Sequence, residues 1–369
     1  MFRFLFKSLY EIEPEFFGLD LSDESFKFVQ LKKIGYGFDV FAFGSYPIQR
    51  GIMEKGEIKK EDELVELLKT GLNNPEKGRL TTKYVVCSLP EEHSFIRVLQ
   101  LPKMSKDETK EAIKWEIEQN IPLGIDEVYF DWEIINNLDV KLDHQDILIA
   151  AAPKTVVDPY VSVLRRSGLV PVAMEVESVS IVRSVIKGLV SDSPELVVDV
   201  GATRANFIIF SGMSLRFSSS VSVAGNKMIE AIAKEFQVEE KEAKRIFYEV
   251  GLDSELDSEG KVKNVLLPIL KELSDQIENY MSFYSSHLLH DHKVKKKSLE
   301  KILLSGGVAN LTGITAYLSS TLKVPVEIAN PWTNILKEPL NEVPDMSFRK
   351  SLRYTTALGL ALREPGNKK

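Results

Sequence analysis

Residues Glu195–Gly225, ELVVDVGATRANFIIFSGMSLRFSSSVSVAG, decide the fold. Leu196–Val200 is a short, β-branched apolar run stopped by Gly201, which reads as a buried strand. Ala205–Ser211 and Ser214–Val223 read as two further strands turned at Ser211-Gly212. The first corner of this meander carries Asp-x-Gly-x-Thr. Gly201 has no Cβ, so the backbone there can lie close to a phosphate; Thr203 adds a hydroxyl, and Asp199 reaches a phosphate-bound magnesium ion through water. Taken alone, the same letters fit a plain tight turn equally well.

The pattern occurs twice. Phe16–Leu21 reads as a strand running into Gly18-Leu19-Asp20-Leu21-Ser22, and strands follow at about 26–33 and 38–46. Aligning Asp20 with Asp199 superimposes two strand–corner–strand–turn–strand units, each continued by a helix and a strand–helix–strand–helix run. That is an internal duplication. Facing copies place two phosphate corners across one cleft. A third corner, Leu303–Asn310, delivers Gly306 and Gly307 from a buried strand into a helix start on the same edge, where backbone can lie flat against a ligand. The expected fold is α/β, with halves at 1–190 and 191–369.

With 369 residues, 44% apolar and 27% charged, the chain has ample core for more than one domain, and its net charge of -7 argues against nucleic acid. The single cysteine, Cys87, lies in an apolar strand, which excludes a disulfide framework and points to a reducing compartment. No run approaches the roughly 20 apolar residues of a membrane span, so a cytoplasmic location is expected. The N-terminal MFRFLFKSLY mixes five apolar side chains with Arg3 and Lys7; it suits packing onto the body better than a lipid-surface helix.

Two insertions interrupt the duplicated plan. Residues of about 91–153 read as strand, helix, strand, strand, the helix opened by a Ser105/Glu108 capping box and closed by Pro122. Its edge strands suit an extended partner peptide or a simple covering. The second insertion, about 237–298, holds a helix, an acidic loop and a long helix with a stripe at Leu266, Leu270, Leu273, Ile277, Met281, Tyr284 and Leu288. The basic run Lys293–Lys297 beside three histidines reads as an exposed loop, lacking an acidic or cysteine co-ligand at metal spacing. Glu175 and Glu177 flank the last crossing of the first half. A carboxylate there suits a magnesium ion or its water, and equally a solvated helix start.

These residues resemble the actin-like ATPase superfamily, with its duplicated ribonuclease H-like halves. Gly18–Lys27 is similar to its first phosphate motif, Asp199–Thr203 to its second, Ser305–Asn310 to its adenosine motif and Tyr354–Leu362 to its second connecting helix. Within the insertion, Leu101–Met104, Ile113–Pro122 and Ile125–Tyr129 resemble the PilM family of type IV pilus assembly, in which the insertion is of the SHS2 type; FtsA is a more distant relative. The resemblance spans essentially the whole chain. It implies ATP bound between the halves by Asp20, Ser22, Ser25, Lys27, Asp199, Gly201, Thr203, Gly225, Asn226, Glu242, Gly306 and Gly307. It implies magnesium held through water by Asp20, Glu177 and Asp199. The partners it implies are the N-terminal cytoplasmic peptide of PilN, in a groove formed by the first half and the insertion, and the pilus motor ATPases. Contact with the inner membrane would then be peripheral, through partners, with self-association a further expectation.

The chain departs from the family pattern at the phosphate end. Ser22 stands where glycine is usual, Asp23 and Glu24 replace small polar residues, and Lys244 and Phe247 replace an acid and a base-flanking lysine. Two acids beside a triphosphate repel it unless they point outward or meet magnesium. The expectation is weakened nucleotide binding, hydrolysis that is slow at most, and no assignable catalytic base. A nucleotide-independent adaptor and a small-molecule kinase on the same fold are the alternatives.

Overall fold

A computed structural model describes residues 15–35, 37–121, 123–135, 144–223, 225–253, 255–257, 259–287, 298–336 and 344–363. The N-terminal segment 1–10, Pro122, Leu288 and the basic run 293–297 lie outside them. Strands β1 (Phe17–Leu21), β2 (Ser25–Ile34) and β3 (Gly37–Pro47) form an antiparallel meander. A small hairpin of β4 (Met53–Glu54) and β5 (Glu57–Ile58) follows, and β6 (Tyr84–Leu89) and β10 (Val170–Val176) add in parallel beside β1, giving the order β10-β6-β1-β2-β3. The second half repeats this. Strands β11 (Ser191–Val200), β12 (Ala205–Gly212) and β13 (Ser214–Val221) make the meander, and β14 (Lys301–Ser305) and β15 (Val326–Ile328) stand parallel beside β11, in the order β15-β14-β11-β12-β13. Register repeats as well: Asp20 faces Lys27 and Asp199 faces Asn206, each partner seven positions on. The duplication inferred from Asp20 and Asp199 is therefore present in strand order, direction and register.

Helices cover the sheets because their apolar stripes match the pleat faces. Leu64 and Leu68 of α1 (Glu61–Leu72) pack with Phe17, Leu19 and Phe26 against the first sheet, and the buried stripe of α3 (Lys154–Arg166), including Tyr160 and Leu164, joins the same core. In the second half, α7 (Lys261–His287) buries Leu266, Leu270, Leu273, Ile277 and Tyr284 against Phe207 and Ile209, the stripe read from sequence. Between the sheets run α4 (Glu177–Val185) and α9 (Thr355–Ala361). Their contact needs glycine: a Cβ on Gly359 would lie 1.8 Å from the Ser180 carbonyl oxygen, and one on Gly18 of β1 would lie 2.3 Å from that of Ala357.

The insertion is strand–helix–strand–strand, as its sequence predicts: β7 (Phe95–Pro102), α2 (Lys106–Asn120), β8 (Val128–Ile135) and β9 (His144–Pro153). The Ser105 hydroxyl accepts from the Glu108 amide at 3.3 Å while the Glu108 carboxylate accepts from the Ser105 amide at 2.9 Å, completing the capping box. Ile113 and Ile117 pack on Ile147 and Ile149 to give the insertion its own small core. Although the insertion interrupts the first half in sequence, its sheet is continuous with that of the second. Strand β7 bridges β13 at Arg97 and Phe217, and a buried Arg216–Asp146 ion pair at 3.2 Å lies beside the join. The eight-stranded sheet thus runs from β15 to β8, with β8 as its edge.

Two elements differ from expectation. The third corner opens a single 3-10 turn, Gly307–Asn310, and the helix α8 (Ile314–Leu322) starts later. The sequence reads as one closing helix over Arg349–Arg363, and the structure breaks it into a turn at Phe348–Ser351, a 3-10 segment at Leu352–Tyr354 and α9. At the break, the Tyr354 hydroxyl donates to Glu76 at 2.8 Å and Thr355 Oγ1 bonds Ser305 Oγ at 2.8 Å. Side-chain bonds thus tie the break to Glu76 of the first half and Ser305 of the second.

Candidate functional site

Asp20 and Asp199 are the next-to-last residues of β1 and β11, and Gly306 follows β14; all three line one cavity of about 160 Å³ between the halves. Its walls also include Ser22, Ser25, Lys27, Glu177, Gly201, Thr203, Asn206, Gly307, and Gly225 and Asn226 at the start of α5 (Gly225–Phe236). Every predicted site residue but one is therefore brought together. The exception is Glu242 on α6 (Glu240–Glu249), which is not part of the wall and pairs with Arg245 at 2.6 Å. An i,i+3 partner on its own helix takes the carboxylate that was expected at the cleft.

The first corner is closed by serine. The Ser22 amide and hydroxyl both donate to the Ser25 carbonyl, at 3.0 and 2.8 Å. Ser22 is not among the residues with positive φ, so the bend does not require the glycine usual in the family. Lys27 Nζ lies 3.4 Å from the Asp20 carboxylate, whose other oxygen accepts from Ser88 Oγ at 3.4 Å. At the second corner the Gly201 amide donates to the Arg204 carbonyl at 2.9 Å, and the Gly225 amide donates to the Gly201 carbonyl at 3.0 Å, which fixes the start of α5 against the turn. Gly306, with φ of 84°, brings its Cα close to β11; a Cβ there would lie 2.4 Å from the Val200 carbonyl oxygen.

Burial sets the protonation of the acids. Burial, with Asp20 nearby, pushes Glu177 up to about 8, against the opposing pull of Arg204 and of the Asn206 amide that donates to it at 2.8 Å. Asp199 rises to about 6, again chiefly by burial, with a hydrogen bond from Ser305 opposing. Near neutral pH the cavity thus holds a protonated Glu177 beside an ionised Asp199.

Several wall residues escaped the sequence reading. Asn206 holds Glu177 and occupies in the second copy the place of Lys27 in the first, so the duplication itself was a signal for it. Arg204 follows the second corner directly, and its side chain reaches Asp23 at 3.0 Å and Glu92 at 2.8 Å. Tyr248 and Arg353 line the end near Gly307, beside the fully buried Phe247 that the sequence marks as a departure from the family pattern. The two acids at the first corner are met from the second half: Asp23 pairs with Arg204, and Glu24 accepts from Asn226 at 2.5 Å.

The chemistry of these residues fits a magnesium-bound phosphate compound at the corners. A Cβ on Gly307 would come no nearer than 3.9 Å to Arg353 or Tyr248, and one on Gly201 would meet only the Arg204 carbonyl oxygen at 3.4 Å, so packing within the chain does not call for glycine at either place. Among the described residues no group of three His, Cys, Asp or Glu side chains is placed to hold a metal ion.

Twin meanders with paired parallel strands, and three bends converging between them, define an actin-like α/β protein. That fold is shared with EutJ from Carboxydothermus hydrogenoformans (TM-score 0.54, 13% identity, over 95% of this chain and 90% of that one). It is shared also with MreB 5 of Spiroplasma citri bound to AMPPNP (TM-score 0.53, 14% identity, over 93% and 94%). The family described as type IV pilus assembly protein PilM matches residues 18–365. The solved PilM-PilN type IV pilus biogenesis complex superposes with a TM-score of 0.77 at 26% identity, over 95% of this chain and 99% of that one. The chain belongs to the PilM family and is an actin-like protein of type IV pilus assembly. Among the described residues no helix is long and apolar enough to cross a membrane.

Proposed function

We propose that the chain is a scaffold of the pilus assembly machinery that holds the N-terminal cytoplasmic peptide of PilN in a groove beside β8. The observation that carries this reading is the groove itself, about 1150 Å³, walled by β8 (Tyr129–Glu133), by Val157, Asp158, Val161 and Arg165 of α3, and by Met174–Val176 of β10. An edge strand offers unpaired backbone donors and acceptors to an extended segment, and alternate side chains supply pockets. Tyr129 is half exposed on this wall and is steadied by its hydroxyl, which donates to Asp158 at 3.0 Å, and by the Lys154 ammonium 5.4 Å from its ring centre. Tyr129→Ala is expected to weaken binding of that peptide ten- to hundred-fold, about 1–3 kcal/mol. Fluorescence anisotropy of the labelled peptide checks this; equal affinity for both chains removes the groove from the account.

The reading further assigns ATP and magnesium to the cleft between the halves, which meet near residue 190. Gly201, Gly306 and Gly307 would admit the phosphates to the backbone, Lys27 would meet their charge, and Asp20, Asp199 and Glu177 would orient the water around the ion. The ion supplies charge neutralisation of the phosphate oxygens. The PilN peptide would set the protein at the cytoplasmic face of the inner membrane, where it engages the pilus motor ATPases and further copies of itself. A second reading, an adaptor that needs no nucleotide, draws support from Asp23 and Glu24, which are tied across the cleft at the phosphate corner.

A further inference from the structure

We infer that Arg204 and Asn226 form a latch that ties the two halves together across the cleft, with the protein's own charged and polar groups as its two sides. Arg204 leaves the second corner and crosses to the first half, where its two terminal nitrogens lie 3.0 Å from Asp23 and 2.8 Å from Glu92. One turn away, the Asn226 side-chain amide crosses to Glu24 at 2.5 Å. Both contacts join the first corner, residues 20–25, to the second copy of the same motif.

The acceptor side is built for this. The Gly56 amide donates to the second oxygen of Asp23 at 2.8 Å, and the Gly56 carbonyl accepts from the buried Tyr160 hydroxyl at 2.7 Å, so the carboxylate is anchored to the core of the first half. Gly56 has a φ of 76°, and a Cβ on it would lie 2.4 Å from Pro90 and 3.7 Å from Arg204; the bend that fixes Asp23 is open only to glycine. Asp23 and Arg204 are each only 12% exposed. A pair so withdrawn from water is screened little by salt, and parting the halves would cost Arg204, Asp23, Glu92 and Glu24 their partners across the cleft. A third crossing pair, Arg50–Glu230 at 3.5 Å, is 79% and 64% exposed and adds little. Arg204 and Asp23 both line the cavity, so an anionic ligand at the first corner would meet the pair directly.

The test is a distance measurement on the ligand-free full chain. The native cysteine is buried, so spin labels can be placed on the β4–β5 hairpin and on α5 across the cleft by Glu54→Cys and Lys234→Cys. Double electron–electron resonance is expected to give a single narrow distribution in the parent. It should broaden and move to longer distance when Asp23→Asn and Glu24→Gln, which keep side-chain volume, are introduced together, and should stay as in the parent for Arg50→Gln. Arg204→Gln with Asn226→Ala should open the cleft further, with circular dichroism confirming a folded chain. An unchanged distribution in the Asp23→Asn/Glu24→Gln chain, or an equal opening by Arg50→Gln, overturns the latch.

Discussion

Gly359→Ala is expected to cost about 3 kcal/mol or more and to lower the urea midpoint of unfolding accordingly. The added Cβ would sit 1.8 Å from the Ser180 carbonyl oxygen and 2.5 Å from its carbon, both rigid backbone atoms of α4. Neither helix has room to retreat. On its other side α9 rests on β1 at Gly18, and the Gly359 carbonyl accepts from Arg183 at 2.9 Å, a guanidinium that also grips Glu175. Separating α4 from α9 would therefore disturb β1, β10 and the edge of the groove beside β8 together. A Gly359→Ala chain with the parent's midpoint would mean that the two helices do not cross in this contact.

The second large effect concerns pH. The folded chain holds the Glu177 proton up to about pH 8, against an ordinary value of 4.5. The unfolded chain releases that proton near its ordinary value, so between the two the unfolded state gains with every rise in pH. The contribution is fully present below the unfolded value and is lost on the way to about 8, at up to roughly 1.4 kcal/mol per pH unit. Glu177→Gln cannot titrate, and its amide oxygen can still accept from Asn206. The parent is expected to lose stability from pH 5 to 8 more steeply than Glu177→Gln, as read from urea midpoints across that range. Parallel curves would place the carboxyl in water, outside the buried wall that the structure gives it.

What was legible in the sequence was what repeats or alternates. An aspartate closing an apolar strand before a corner, at Asp199 and again at Asp20, carried the duplication, and the strand orders follow it. The stripe of α7 and the capping box of α2 are local patterns, and both are present. What escaped depends on pairs far apart in the chain. Asp23 and Arg204 stand 181 residues apart and Glu24 and Asn226 stand 202 apart, so no local pattern could show that those acids are met. Glu242 was assigned by position in a motif, whereas its nearest cation lies one helical turn away on the same face. The continuity of the insertion with the second sheet was hidden for a related reason: one bridge, Arg97 with Phe217, decides it, and the insertion interrupts the other half in sequence.

Hydrogen–deuterium exchange of the full chain, with and without the N-terminal cytoplasmic peptide of PilN, tests the central claim most directly. A strand added beside β8 should slow amide exchange along Tyr129–Ile134 and on the facing stretch Met174–Val176 of β10. Exchange that is unchanged there, or slowed only around Asp20, Asp199 and Gly306, would contradict it.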